Sequence, residues 1–118
     1  THTGADLNVD HRVISNSVFT AFRPQPEEIC KEIRLFEISS ATDFSHESIA
    51  SIFSPNLYIN IQSTWKYKSL ALEGYGKEIK NYPHSRSLGG LENLAKVRGN
   101  QVGIFMAEAF QAARKIVD

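Results

Sequence analysis

Helix-like and strand-like hydrophobic patterns take turns along this chain, and that alternation is the strongest constraint on how it folds. Asp10 can cap a helix through about Phe22, with Val13, Ile14, Ser17, Val18, Ala21 and Phe22 on one face. Pro24 and Pro26 end it. Residues 31–38 read as a strand whose apolar side chains point both ways, so both faces are expected to be covered. Residues 39–55 are Ser-rich without a period and read as a surface loop, and residues 57–61 form a second strand with Leu57, Ile59 and Ile61 inward. Ser63 or Thr64 caps a helix through about Lys80, whose interior Gly74 and Gly76 cost about 1 kcal/mol each relative to Ala. Ser87 caps a further helix with Leu88, Leu91, Leu94, Ala95, Val102 and Phe105 as its apolar stripe. Gly99 and Gly103, one turn apart on it, allow another element to come close. Residues 110–117 either continue this helix or form a short closing strand, the reading favoured, and residues 1–9 read as loop.

Such alternation indicates an α/β layered domain. Two or three strands are few for a doubly wound sheet, and the opening Thr1-His2-Thr3-Gly4 has neither a Met nor a helix or strand start. The expectation is a single domain over residues 1–118 that is part of a larger fold. A chain of 118 residues has room for a real core, since a domain of this size buries roughly two-thirds of its unfolded surface. Lys and Arg equal Asp and Glu at 13 each. That balance lacks the electrostatic footprint of a nucleic-acid binder. No apolar run reaches the ~20 residues of a membrane span. The single Cys30 cannot form an internal disulfide and is expected to be a buried structural thiol, which favours a reducing, cytoplasmic setting.

Two stretches carry chemistry. The first is Asp6-Leu7-Asn8-Val9-Asp10-His11-Arg12, with His11 where a loop meets a helix N-terminus. The partial positive charge there disfavours imidazolium, and a neutral imidazole is what a zinc ligand must be. Asp10 can accept the other ring N–H of His11 or cap the helix. His2, nine residues earlier, is a second candidate for the same pocket. The other stretch, Tyr82-Pro83-His84-Ser85-Arg86-Ser87, gathers an aromatic ring, an imidazole and a guanidinium in one loop, where Arg86 could grip a hydroxyl-rich or anionic group.

Taken in order, Thr1 to Arg12, Ile33 to Ser40, Phe53-Ser54-Pro55-Asn56, Pro83 to Ser87, Leu94 to Gly99 and Ala107-Glu108-Ala109-Phe110 resemble the C-terminal half of the PIG-L/LmbE family of zinc-dependent N-acetylglucosaminyl deacetylases. The resemblance spans nearly the whole chain. It implies a Rossmann-like α/β fold, of which this chain is the C-terminal part, and one zinc ion used to hydrolyse an N-acetyl group on an amino sugar or its conjugate. In the family the last His of the second metal motif is a ligand, and His11 matches it; Asp10 matches that motif's Asp. Asn8 stands where the family has a His that stabilises the oxyanion, so Asn8 or His2 is the expected donor there. The resemblance further implies that His84 and Arg86 contact the substrate.

The family's Ala-His-Pro-Asp-Asp motif, which supplies two ligands and the general base, does not occur in these residues. The expected partners are therefore the N-acetylated sugar and the missing N-terminal half, with a homo-oligomer also open. The chain alone is expected to be metal-free, inactive and prone to self-association. The alternative is a non-catalytic sugar-binding or assembly module derived from the same fold.

Overall fold

A computed structural model describes residues 1–48 and 50–118. Among them the chain is α/β, with three α-helices and a three-stranded sheet in the order β1-β3-β2. The elements are α1 (Val9–Ala21), β1 (Glu32–Phe36), β2 (Leu57–Asn60), α2 (Trp65–Glu73), α3 (Leu88–Asn100) and β3 (Ala107–Lys115). They fall into two compact units, one of residues 1–57 and 110–118 and one of residues 58–109. Both β2 and β3 are cut by the boundary between them.

In the first unit β1 pairs antiparallel with β3, from Glu32 opposite Lys115 to Phe36 opposite Phe110. The register shifts between Ile33 and Arg34, whose partners are Arg114 and Ala112, so Ala113 is a bulge residue. Asn56 holds the far side of β3: its backbone N–H donates to the Phe110 carbonyl and its side-chain Oδ1 accepts from the Ala112 N–H at 2.7 Å.

Residues 1–3 are not the plain loop their composition predicts. His2 bridges Phe36 in parallel, with the Phe36 N–H donating to the Thr1 carbonyl and the Thr3 N–H to the Phe36 carbonyl, both at 3.0 Å. An extended segment, a helix and a parallel strand thus follow one another, the order of a βαβ crossover. Periodicity could not show this, because three residues are too few for a pattern.

Helix α1 starts at Val9 because Asn8, not Asp10, is its N-cap: Asn8 is extended and its Oδ1 accepts the Asp10 N–H at 2.9 Å. The buried side is His11, Ser15 and Val18, at i, i+4 and i+7, and Ser15 is the only fully buried member. Most of the face expected to be inward is exposed instead, including Val13 and Ile14, together with Val9, Phe19 and Phe22. Cys30 is half-buried and free, its thiol toward the Glu32 carbonyl.

In the second unit Ile61, Ala95 and Met106 form a core with Trp65 packed on it. Ile59, expected inward, is exposed at the end of β2. Helix α2 ends at Glu73, well before Lys80; Gly74 follows, and a short 3-10 turn spans Gly76–Glu78. Ser87 caps α3 as expected, accepting from the Gly90 N–H at 2.9 Å. Helix α3 ends at Asn100, so Val102 and Phe105 lie beyond it.

The two paired glycines serve different ends. A Cβ on Gly99 would sit 2.5 Å from the Ile104 carbonyl oxygen, so this is the close approach. Gly103 has φ +74 with open space around it. It closes α3, with the Ile104 N–H returning to the Gly99 carbonyl and the Gly103 N–H to Asn100.

Candidate functional site

The N-terminal constellation assembles within the first unit, at the junction of the extended residues 1–3 with α1. His11 is the third residue of α1, and its ring stacks on His2 with centroids 4.1 Å apart and planes 14° from parallel. His2 also leans on Phe36, at 4.8 Å and 50°. The parallel bridge to Phe36 fixes the His2 backbone, and the helix start fixes that of His11.

Behind His11 stands Asp6, with no solvent exposure. Its Oδ1 accepts the Asn8 N–H at 2.8 Å and lies 3.1 Å from His11 Nδ1. Its Oδ2 accepts the Thr42 hydroxyl at 2.9 Å, and that hydroxyl accepts the Ile38 N–H at 2.8 Å. The His11–Asp6 contact is within ion-pair distance but off the line of a proper hydrogen bond, and Nδ1 is buried without another partner. It is an orienting electrostatic contact. Arg12 braces the turn, its Nη1 donating to the carbonyls of Asp6 and Leu7 at 2.7 and 2.8 Å.

The roles weighed for Asp10 are therefore performed by two neighbours. Asn8 caps the helix and Asp6 backs the imidazole, while Asp10 is exposed in the first turn. Sequence reasoning missed Asp6, because its burial depends on Thr42, 36 positions away. An acid two residues before an N-cap asparagine in a Gly/Asp/Asn-rich stretch looks like any turn residue.

The environment holds His2 toward its neutral form. Its pKa is lowered from the ordinary imidazole value, first by burial and then by neighbouring His11, with Asp6 partly opposing. Stacked imidazoles cannot both carry charge cheaply, and the start of α1 also disfavours a cation.

A cavity of about 390 Å³ opens in the same unit, with Ala5, Thr42, Asp43, His46, Glu47 and Phe53 in its wall. Thr42 thus belongs to that wall and to the Asp6 support. Among the described residues its lining carries two carboxylates, Asp43 and Glu47, and the imidazole of His46.

His84 and Arg86 lie in the second unit. His84 Nδ1 accepts the Arg86 N–H at 3.0 Å, which rigidifies the turn before α3. Arg86 Nη1 reaches Glu78 Oε2 at 3.2 Å. In the same unit Glu108 on β3 is paired with Lys68 on α2.

A zinc site needs three protein donors and an open position. Among the described residues, no group of three or more His, Cys, Asp or Glu side chains is placed to hold a metal. His11 has the chemistry of one such ligand: an imidazole on a helix start with a buried carboxylate behind its other nitrogen. Among the described residues, no helix is long and apolar enough to cross a membrane. The chain matches no family model, no curated protein and no solved structure.

Proposed function

We propose that this chain is the C-terminal part of a PIG-L/LmbE-type deacetylase, which uses zinc to hydrolyse the N-acetyl group of an amino sugar or its conjugate. The observation that carries the reading is His11 at the start of α1 with the fully buried Asp6 at its Nδ1. A carboxylate behind a histidine is the usual support of a metal ligand, and it leaves the opposite nitrogen to coordinate. The strand–helix–strand order of residues 1–3, α1 and β1, with its parallel bridge, supports a Rossmann-like origin. In such folds ligands bind outside the carboxyl ends of the strands, where the loop leading to His11 begins. The pairing of β1 with β3 is antiparallel, which mixed doubly wound sheets also contain.

His11 would be one zinc ligand; the other protein donors come from polypeptide outside this chain. When bound, zinc supplies Lewis-acid polarisation of the amide carbonyl. Asp6 orients His11, and His2 shields its face. Asn8 spends its Oδ1 on the helix cap, which leaves its amide N–H groups as donors for the oxyanion. The cavity beside Thr42, lined by Asp43, His46 and Glu47, offers polar groups to a hydroxyl-rich ligand. Arg86 and His84 are assigned to the sugar or its carrier. The exposed apolar residues of α1 fit a surface covered by further polypeptide. A cytoplasmic setting belongs to the same proposal.

The test is the full-length protein that contains this chain. It should purify with stoichiometric zinc and release acetate from N-acetylglucosamine derivatives. His11→Ala should abolish both, and the 118-residue chain alone should be metal-free. Sugar binding without acetate release would favour the non-catalytic binding module, and a zinc-free, inactive full-length protein would overturn the deacetylase reading.

A further inference from the structure

We infer that Asp6, held by Thr42, is a positioning residue that decides which nitrogen of His11 is presented outward. For its consequence at a metal the inference rests on the zinc reading above; the tautomer it assigns does not.

A carboxylate with no solvent exposure must have its oxygens met by donors, or its burial is costly. Asp6 Oδ2 is met by Thr42. That hydroxyl has one proton, and its oxygen already accepts the Ile38 N–H, so the proton points at Asp6. Asp6 Oδ1 accepts from the Asn8 N–H and faces His11 Nδ1 at 3.1 Å.

Nδ1 is buried, with Asp6 the polar group in front of it. With its lone pair on Nδ1, His11 would set that lone pair against the carboxylate oxygen where no water screens the repulsion. With the proton on Nδ1, the contact is attractive. The neutral ring therefore carries its proton on Nδ1 and leaves the Nε2 lone pair free, the reverse of the tautomer that dominates in a solvent-exposed histidine. Nε2 is then the nitrogen available to a metal. The contact is off the hydrogen-bond line, so the carboxylate's fixed position matters more than the strength of one bond. Thr42 supplies that fixity from the segment after β1. A merely structural Asp6 would stabilise the turn without determining where the ring proton sits.

The experiment is ¹⁵N NMR of the imidazole nitrogens in the full-length protein, zinc-free and at alkaline pH, followed by titration with zinc ion. The wild type should show His11 protonated on Nδ1. Asp6→Ala should shift the tautomer toward Nε2–H and weaken zinc binding about 10- to 100-fold. Thr42→Val should move both readouts in the same direction by less, and Thr42→Ser should restore them. His11 protonated on Nε2 in the wild type overturns the inference, and needs no variant to fold. Unchanged tautomer and zinc affinity in both Asp6→Ala and Thr42→Val overturn it equally.

The two readings fail differently. An Nδ1–H tautomer in a protein that takes up no zinc supports the assignment and removes the deacetylase reading. An Nε2–H tautomer beside tight zinc removes the assignment and leaves that reading intact.

Discussion

Replacing Gly99 with alanine sets two effects of known size against each other. In an ordinary helix interior the change stabilises by about 1 kcal/mol, because alanine loses less backbone entropy. Gly99 is not in an ordinary place. Its new Cβ would lie 2.5 Å from the Ile104 carbonyl oxygen and 2.8 Å from the Met106 nitrogen and the Phe105 carbonyl carbon. All three are backbone atoms, well inside the ~3.5–4.0 Å of a comfortable contact, and no rotamer change relieves them. Overpacking of this kind costs about 1–3 kcal/mol. The crowding outweighs the gain, and the net destabilisation reaches about 2 kcal/mol, each kcal/mol lowering the melting temperature by about 4–8 °C. The protein's one tryptophan within this chain, Trp65, packs on the Ile61–Ala95–Met106 core, so its fluorescence during denaturation reports the affected unit. Gly89→Ala is the control: its Cβ meets Tyr82 at an ordinary 3.6 Å, and it should be neutral or stabilising by up to about 1 kcal/mol. A Gly99→Ala protein that melts at or above wild type would refute the argument.

Asn8→Ala removes the side-chain cap of α1 and should cost about 1 kcal/mol in denaturant melts, while Asn8→Ser should recover most of it. Because the folded pKa of His2 is lowered below its ordinary 6.5, protonation opposes the fold: stability should be unaffected above about pH 6.5 and fall as pH drops below it. An NMR titration of His2 should give a midpoint under 6.5, and His2→Phe should flatten that part of the stability profile; a midpoint above 6.5 would contradict the assigned environment.

Local chemistry made some of this protein legible and hid the rest. Ser87 ahead of a Leu-rich run announced α3 correctly, because a cap and its stripe are both local. The start of α1 was displaced because Asn8 and Asp10 are equally good cap residues, and only the extended backbone at Asn8 chooses between them. Helix α1 has the right period, yet its buried side runs through His11 and Ser15; apolarity alone does not say which surface finds a partner. β3 begins earlier than its aromatic residue suggests, since Ala107 and Ala109 favour helix intrinsically and are strand only through their pairing. Of the candidate site, the sequence offers His2 and His11 as candidates for one pocket, and their rings stack. The part played by Asp6 and Thr42 was invisible, because neither is unusual until the fold sets them 2.9 Å apart.

The bulge at Ala113 has a consequence for how the chain tolerates length changes. β3 is a single nine-residue strand whose first residues belong to one unit and whose last belong to the other. Deleting one residue on the near side of the bulge would invert the in–out alternation of every side chain up to it. A deletion at Ala113 itself would instead draw the strand straight, leaving Phe110 opposite Phe36 and Arg114 opposite Ile33. Ala113 is therefore the one point at which this strand can lose a residue and keep its pairing with β1.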